Sequence, residues 1–79
     1  MNVRIIFFAA AADSANTRSR EVQLPEGSRI AHLGKFVVEE YPPLQNHRLI
    51  YAVNQQYVSP NQVLNDGDEV AVFTPVSGG

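Results

Sequence analysis

Seventy-nine residues allow one small domain, which buries about 60–65% of the surface its unfolded chain exposes and cannot wall off a self-contained enzyme pocket. A formal charge of −2 supplies no basic field for nucleic acid or anionic lipid, and no run approaches the roughly 18 consecutive apolar residues of a membrane span. Cysteine is absent, which removes disulfides, thiolate nucleophiles and the usual zinc ligands, and suits a reducing cytoplasm.

Residues 3–8 are β-branched and aromatic enough for a strand, with Val3, Ile5 and Phe7 on one face and Arg4, Ile6 and Phe8 on the other. Arg4 with the apolar run 5–12 also has the form of a short signal peptide, but cleavage there would remove a strand that the rest of so small a domain needs. A loop through Asp13, Ser14, Asn16 and Thr17 then closes a hairpin onto a second strand over 20–24, Val22 and Leu24 inward. Pro25-Glu26-Gly27 ends that strand, and Ser28 stands where its hydroxyl can accept an N–H from the first turn of a helix. Ile30, Leu33, Val37 and Tyr41 share one side of this helix, while Arg29, His32, Lys35, Glu39 and Glu40 face water. Gly34 weakens it by about 1 kcal/mol relative to alanine, and Pro42-Pro43 stops it.

A third strand over 48–53, a reversal at Asn54-Gln55-Gln56, a short fourth strand at Tyr57-Val58 and one helical turn over 60–64 follow. Asp66-Gly67-Asp68 turns the chain into a last strand over 69–74, with Val70 and Val72 buried and Ala71 and Phe73 on the other side. The two aspartates serve turn geometry rather than acid–base chemistry, and two histidines without cysteine, His32 and His47, give no metal site. This order predicts an α+β roll, a mixed sheet of about five strands with one main helix on one face. The other face keeps Phe8, Tyr57 and Phe73, which we assign to partner binding.

Pro75 lacks an N–H and cannot extend a central ladder, so the chain leaves the sheet there. The domain is thus residues 1–74, and Pro75, Val76, Ser77, Gly78 and Gly79 form a flexible arm of roughly 16 Å when extended. Its last two residues have no side chains, so the arm can pass through a narrow channel and bring the Gly79 carboxylate close to another backbone. Gly78-Gly79 is not a phosphate loop, since no helix follows it.

Three stretches carry a family resemblance: Ile6-Phe7-Phe8-Ala9, the segment 51–58 (Tyr51-Ala52-Val53-Asn54-Gln55-Gln56-Tyr57-Val58), and the segment 64–79 from Leu64-Asn65-Asp66-Gly67-Asp68 to Gly78-Gly79. With their spacing they cover almost the whole chain, which resembles the ubiquitin-like β-grasp sulfur carriers, and among them the molybdopterin synthase small subunits. The resemblance implies a β-grasp fold and a non-catalytic carrier of molybdenum cofactor biosynthesis that binds no cofactor of its own. A ubiquitin-activator-like adenylyltransferase would couple Gly79 to AMP, and a sulfur donor protein would displace the AMP to leave a thiocarboxylate. A large synthase subunit, bound as a hetero-oligomer, would then use that sulfur to build the dithiolene of molybdopterin. A free α-carboxyl is an anion at neutral pH and a poor electrophile, so activation is required before sulfur can enter. Two alternatives share the glycine end: the thiamin thiazole sulfur carriers, typically shorter and without the Phe-Phe-Ala start, and ubiquitin-like protein modifiers, for which Lys35 is the sole lysine available for chain building. The family usually places charged residues and a glycine after the first strand; here residues 9–12 are all alanine, followed by Asp13-Ser14-Ala15-Asn16, so contacts of that loop in relatives do not carry over.

Overall fold

The computed structural model describes residues 1–75, in the order β1 (Asn2–Phe7), α1 (Ala9–Ala15), β2 (Ser19–Gln23), α2 (Ile30–Glu40), a short 3₁₀ helix (Pro42–Asn46), β3 (Ile50–Val53), β4 (Gln56–Tyr57) and β5 (Glu69–Phe73). Alternation in β1 puts Val3, Ile5 and Phe7 under one layer of the molecule, and the strands pair around it in the order β2-β1-β5-β3-β4. The first and last strands run parallel at the centre, Phe7 level with Val72, while β2 pairs antiparallel to β1 and β3 antiparallel to β5. α2 lays Ile30, Leu33 and Val37 across one face, closing a core that also takes in Val22, Leu44, Leu64, Val70 and Val72. Each such aliphatic side chain, fully buried, contributes about 1.5–3 kcal/mol.

Residues 9–15, expected as loop, are helical. Alanine has the highest intrinsic helix propensity, and Ala11 and Ala15, four apart, bury their methyl groups beneath the helix. Phe8 precedes it in extended conformation, Ala9 takes a positive φ of 49°, and Asn16 closes it at φ 57°, donating its N–H to the Asp13 carbonyl. β1 and β2 are therefore antiparallel neighbours joined through a helix rather than a simple hairpin.

The helix start also differs from expectation. Ser28 is buried and donates its hydroxyl to the Pro25 carbonyl at 2.7 Å, so it does not cap α2. Instead, the Arg29 N–H donates to Nδ1 of His32 at 2.9 Å, while the Ile30 and Ala31 N–H groups donate to the Gln62 and Pro60 carbonyls. Those carbonyls, committed to the helix end, leave residues 60–64 without the expected helical turn; Val63 makes an isolated antiparallel bridge with Arg29. The third strand begins at Ile50 rather than residue 48, and its turn is Asn54-Gln55, at φ 48° and 72°, with Gln56 already in β4.

Gly34 has a packing reason. A Cβ at this position would lie 2.8 Å from the Tyr51 hydroxyl oxygen, so the glycine lets α2 settle onto β3. On the β2 side, Arg20 points to the helix layer, 5.2 Å above the Phe36 ring and 5.9 Å from that of Tyr41, and bonds to Glu40. Its hydrogen bonds to Tyr41 and Glu40 hold the guanidinium above its ordinary pKa, so it is always charged.

Candidate functional site

Side chains opposite the core follow from register. Across the middle of the sheet the row is Ile6, Ala71, Ala52 and Tyr57; one step toward the C-terminal end of β5, Ile50 is paired with Phe73. The two alanines make a low floor between larger neighbours. Tyr57 is 76% exposed and meets Phe73 edge to face, centroids 5.6 Å apart. Phe8 continues the extended line of β1, donates its N–H to the Val72 carbonyl at 3.0 Å, and is 49% exposed. The structure thus brings Phe8, Phe73 and Tyr57 to one face of the sheet, with Ile6, Ile50, Ala52 and Ala71 among them. Toward β2 the same face turns polar, where Arg4 stands level with Glu21 on one side and Glu69 on the other.

Sequence periodicity points to the aromatics, whereas Ile50 and Ala52 join the face only through the pairing of β3 with β5. Alternation over residues 50–53 was the available signal: Tyr51 and Val53 pack on the core while their neighbours turn away.

At one end of the sheet β5 gives way to Thr74 and an exposed Pro75. Val76, Ser77, Gly78 and Gly79, the rest of the expected arm, lie outside the described residues. Around the root of that arm sit Phe8, the start of α1 and a surface cleft of about 620 Å³ lined by Phe8, Ala12, Asp13, Asn16 and Arg18, among others. Ser14 of α1 and His47 are 3.1 Å apart, Oγ to Nε2, joining the helix to the segment that precedes β3.

The opposite end of the sheet carries the Asp66-Gly67-Asp68 turn, with Gly67 at φ 85°. Asp68 is buried and accepts from the Asn65 N–H at 2.8 Å and from Asn54 Nδ2 at 3.1 Å. Asp66 accepts from the Asn2 N–H at 2.6 Å. Both carboxylates are thereby spent on loop geometry, as their place in an Asp-Gly-Asp turn leads one to expect. Among the described residues no three His, Asp or Glu side chains converge as a metal site would require, and no helix is long and apolar enough to cross a membrane.

What such a surface can do is dock: a shallow apolar trough, aromatic at its margin, lies beside the point where an arm leaves the fold. Of groups that could act as nucleophile and base, Ser14 Oγ and His47 Nε2 form an exposed pair, and among the described residues no carboxylate is hydrogen-bonded to that imidazole.

Comparison with known proteins agrees in kind. The ThiS family matches residues 5–79. The molybdopterin synthase sulfur carrier subunit of Homo sapiens is 35% identical, over 98% of this chain and 93% of that protein. The putative molybdopterin converting factor, subunit 1, from Pyrococcus furiosus has a TM-score of 0.89 at 30% identity, over 96% of this chain and 99% of that one. A chain in the protein–protein complex of subunits 1 and 2 of molybdopterin-converting factor from Helicobacter pylori has a TM-score of 0.72 with full coverage of both chains; its 22% identity makes that a likeness of fold.

Proposed function

The chain belongs to the ThiS family, and from that membership we propose that it is the sulfur carrier subunit of a molybdopterin synthase. The observation that carries the reading is full-length similarity to the molybdopterin synthase sulfur carrier subunit of Homo sapiens, with the family match running to residue 79. The carrier binds no cofactor. Its Gly79 carboxylate attacks the α-phosphorus of ATP held by an activating adenylyltransferase, giving an acyl adenylate and pyrophosphate. A sulfur donor then supplies sulfur at the same carbonyl, AMP leaves, and a thiocarboxylate remains. Adenylation answers the physical obstacle, because a carboxylate anion is a poor acceptor for an incoming nucleophile.

In the synthase, Pro75, Val76, Ser77, Gly78 and Gly79 reach into the large subunit, whose side chains supply the catalysis, and one sulfur passes to the dithiolene of molybdopterin per carrier. Phe8, Tyr57 and Phe73 dock the domain, so that binding energy from the sheet face positions the reacting end. The assembly is a hetero-oligomer working in the cytoplasm.

Intact mass tests the cycle. Incubation with the activating enzyme, ATP and a sulfur source replaces one oxygen by sulfur, a gain of about 16 Da at Gly79. An unchanged mass after complete ATP turnover would refute the carrier reading.

A further inference from the structure

The end of the sheet where the arm begins differs in charge from the other end. In the sheet order, Arg18 precedes β2 and gives its carbonyl to the Phe7 N–H at 2.9 Å, which sets it level with Phe7 and hence with Val72. On the far side of β5, Arg48 stands two residues before Ile50, the β3 residue level with Phe73. The two arginines therefore flank this end of the sheet, three strand spacings or roughly 14 Å apart across it and further offset along the strands. Both are exposed, and neither lies within 4.0 Å of a carboxylate among the described residues; Asp13 shares the cleft with Arg18 without closing an ion pair. Of the other cations, Arg20 binds Glu40, Arg29 binds the Asn61 carbonyl, Arg4 stands between Glu21 and Glu69, and Lys35 lies exposed on α2, away from this end of the sheet register. At the opposite end of the sheet, by contrast, lie Asp66, Asp68 and Glu69, with Glu26 near the N-terminal amine. A chain of net charge −2 is thus basic where its tail starts.

We infer that Arg18 and Arg48 form a basic collar around the root of the tail, which docks on carboxylate side chains rimming the channel of the protein that receives it. Reach decides what the collar meets. The four residues after Pro75 can carry Gly79 about 13 Å away, whereas an arginine side chain extends roughly 7 Å from its Cα. The guanidinium groups therefore cannot follow the reacting end to a phosphate at the bottom of an active site; they meet what surrounds the channel mouth. Exposed charges of this kind act chiefly on encounter, orienting the carrier tail first.

The inference rests on the sulfur-carrier reading, and its test separates the two. Association of the full-length carrier with the large synthase subunit of the same organism is followed by stopped flow from roughly 20 to 500 mM NaCl, across which the screening length shrinks several-fold. Arg18→Ala with Arg48→Ala should slow association about three- to tenfold at low salt and flatten its salt dependence, leaving dissociation nearly unchanged. Arg18→Lys with Arg48→Lys, which keeps the charge, should behave as the unaltered chain. If the unaltered carrier does not bind the large subunit, the synthase reading fails and the collar with it. If it binds and the alanine pair leaves rate and salt slope unchanged, the collar alone is overturned. Equal losses from the alanine and lysine pairs overturn charge as the cause. Slower adenylation at saturating carrier with normal association overturns the channel-mouth assignment in favour of a phosphate contact.

Discussion

Replacing Tyr57 by alanine separates docking from folding better than any other single change on the sheet face. The ring is 76% exposed, so only about a quarter of it contributes to the folded state. Full burial of a large apolar side chain is worth about 1.5–3 kcal/mol, which scales to less than about 1 kcal/mol here. Its edge-to-face contact with Phe73 at 5.6 Å adds about 0.5–1.5 kcal/mol. The total cost to folding is then about 1–2 kcal/mol, well within the stability of an ordinary domain, and the variant remains folded at 25 °C. In a complex the same ring is desolvated beside the Ala52–Ala71 floor, and aromatic anchors in such positions cost about 2 kcal/mol or more when truncated, roughly a 30-fold loss of affinity.

The measurement pairs urea unfolding with calorimetric titration against the large synthase subunit, both on Tyr57→Ala and on Phe73→Ala. Phe73 is more buried, so its truncation should weaken folding more than that of Tyr57 while also weakening binding. A stability loss above about 3 kcal/mol for Tyr57→Ala would show the ring to be part of the core, beyond what its exposure allows. An affinity change below about threefold would remove Tyr57 from the docking surface.

Gly34→Ala gains about 1 kcal/mol of helix propensity but drives a methyl to within 2.8 Å of the Tyr51 oxygen, so urea unfolding should show a net loss of about 1–2 kcal/mol; combined with Tyr51→Phe, which removes the obstructing atom, it should recover most of that. A stabilising Gly34→Ala in the presence of Tyr51 would contradict the packing. Burial holds the Tyr51 phenol above its usual pKa, so the unfolded chain ionises first as pH rises past about 10. Stability should therefore fall in that range, and less so in Tyr51→Phe, as thermal melts across alkaline pH would register. Asp68→Ala strands the Asn65 N–H and the Asn54 amide; a loss of about 2–3 kcal/mol in urea unfolding is expected, and a loss under about 0.5 kcal/mol would show that water replaces the carboxylate.

Elements with strong local signals were readable from residue types. β1, α2, the Asn54-Gln55 reversal and β5 announce themselves through alternation, helical spacing or turn chemistry, each acting over a few residues. What escaped reading depended on partners distant in sequence. Ser28 is an excellent cap by composition, yet the first N–H groups of α2 are taken by Pro60 and Gln62, some thirty residues on. The same exchange explains the missing helical turn over residues 60–64. The α1 helix was hidden for a different reason: seven residues are too few to show periodicity, and Asp13, Ser14 and Asn16 look like loop until Ala11 and Ala15 find a surface to bury against.

The aromatic face shows how a turn at one end of the sheet governs the surface at the other. Side chains of β5 alternate, so sliding it by one residue against β1 would put Val72 in the trough and Phe73 in the core. That slip is prevented around Asp66-Gly67-Asp68, where the Gly67 N–H donates to the Asn2 carbonyl at 2.8 Å, the Asn2 N–H donates to Asp66, and the Arg4 N–H donates to the Asp68 carbonyl. Because β1 and β5 run parallel, a register set there persists for their whole length and delivers Phe8 beside Phe73 at the root of the arm. An antiparallel pairing would have left Phe8 with the aspartates, roughly 16 Å away. The aspartate turn and the aromatic face are therefore one device: loosening the turn by Asp66→Ala should blur the presentation of Phe73 before it unfolds the domain, detectable as chemical-shift changes in β5 at temperatures where α2 is still protected from hydrogen exchange.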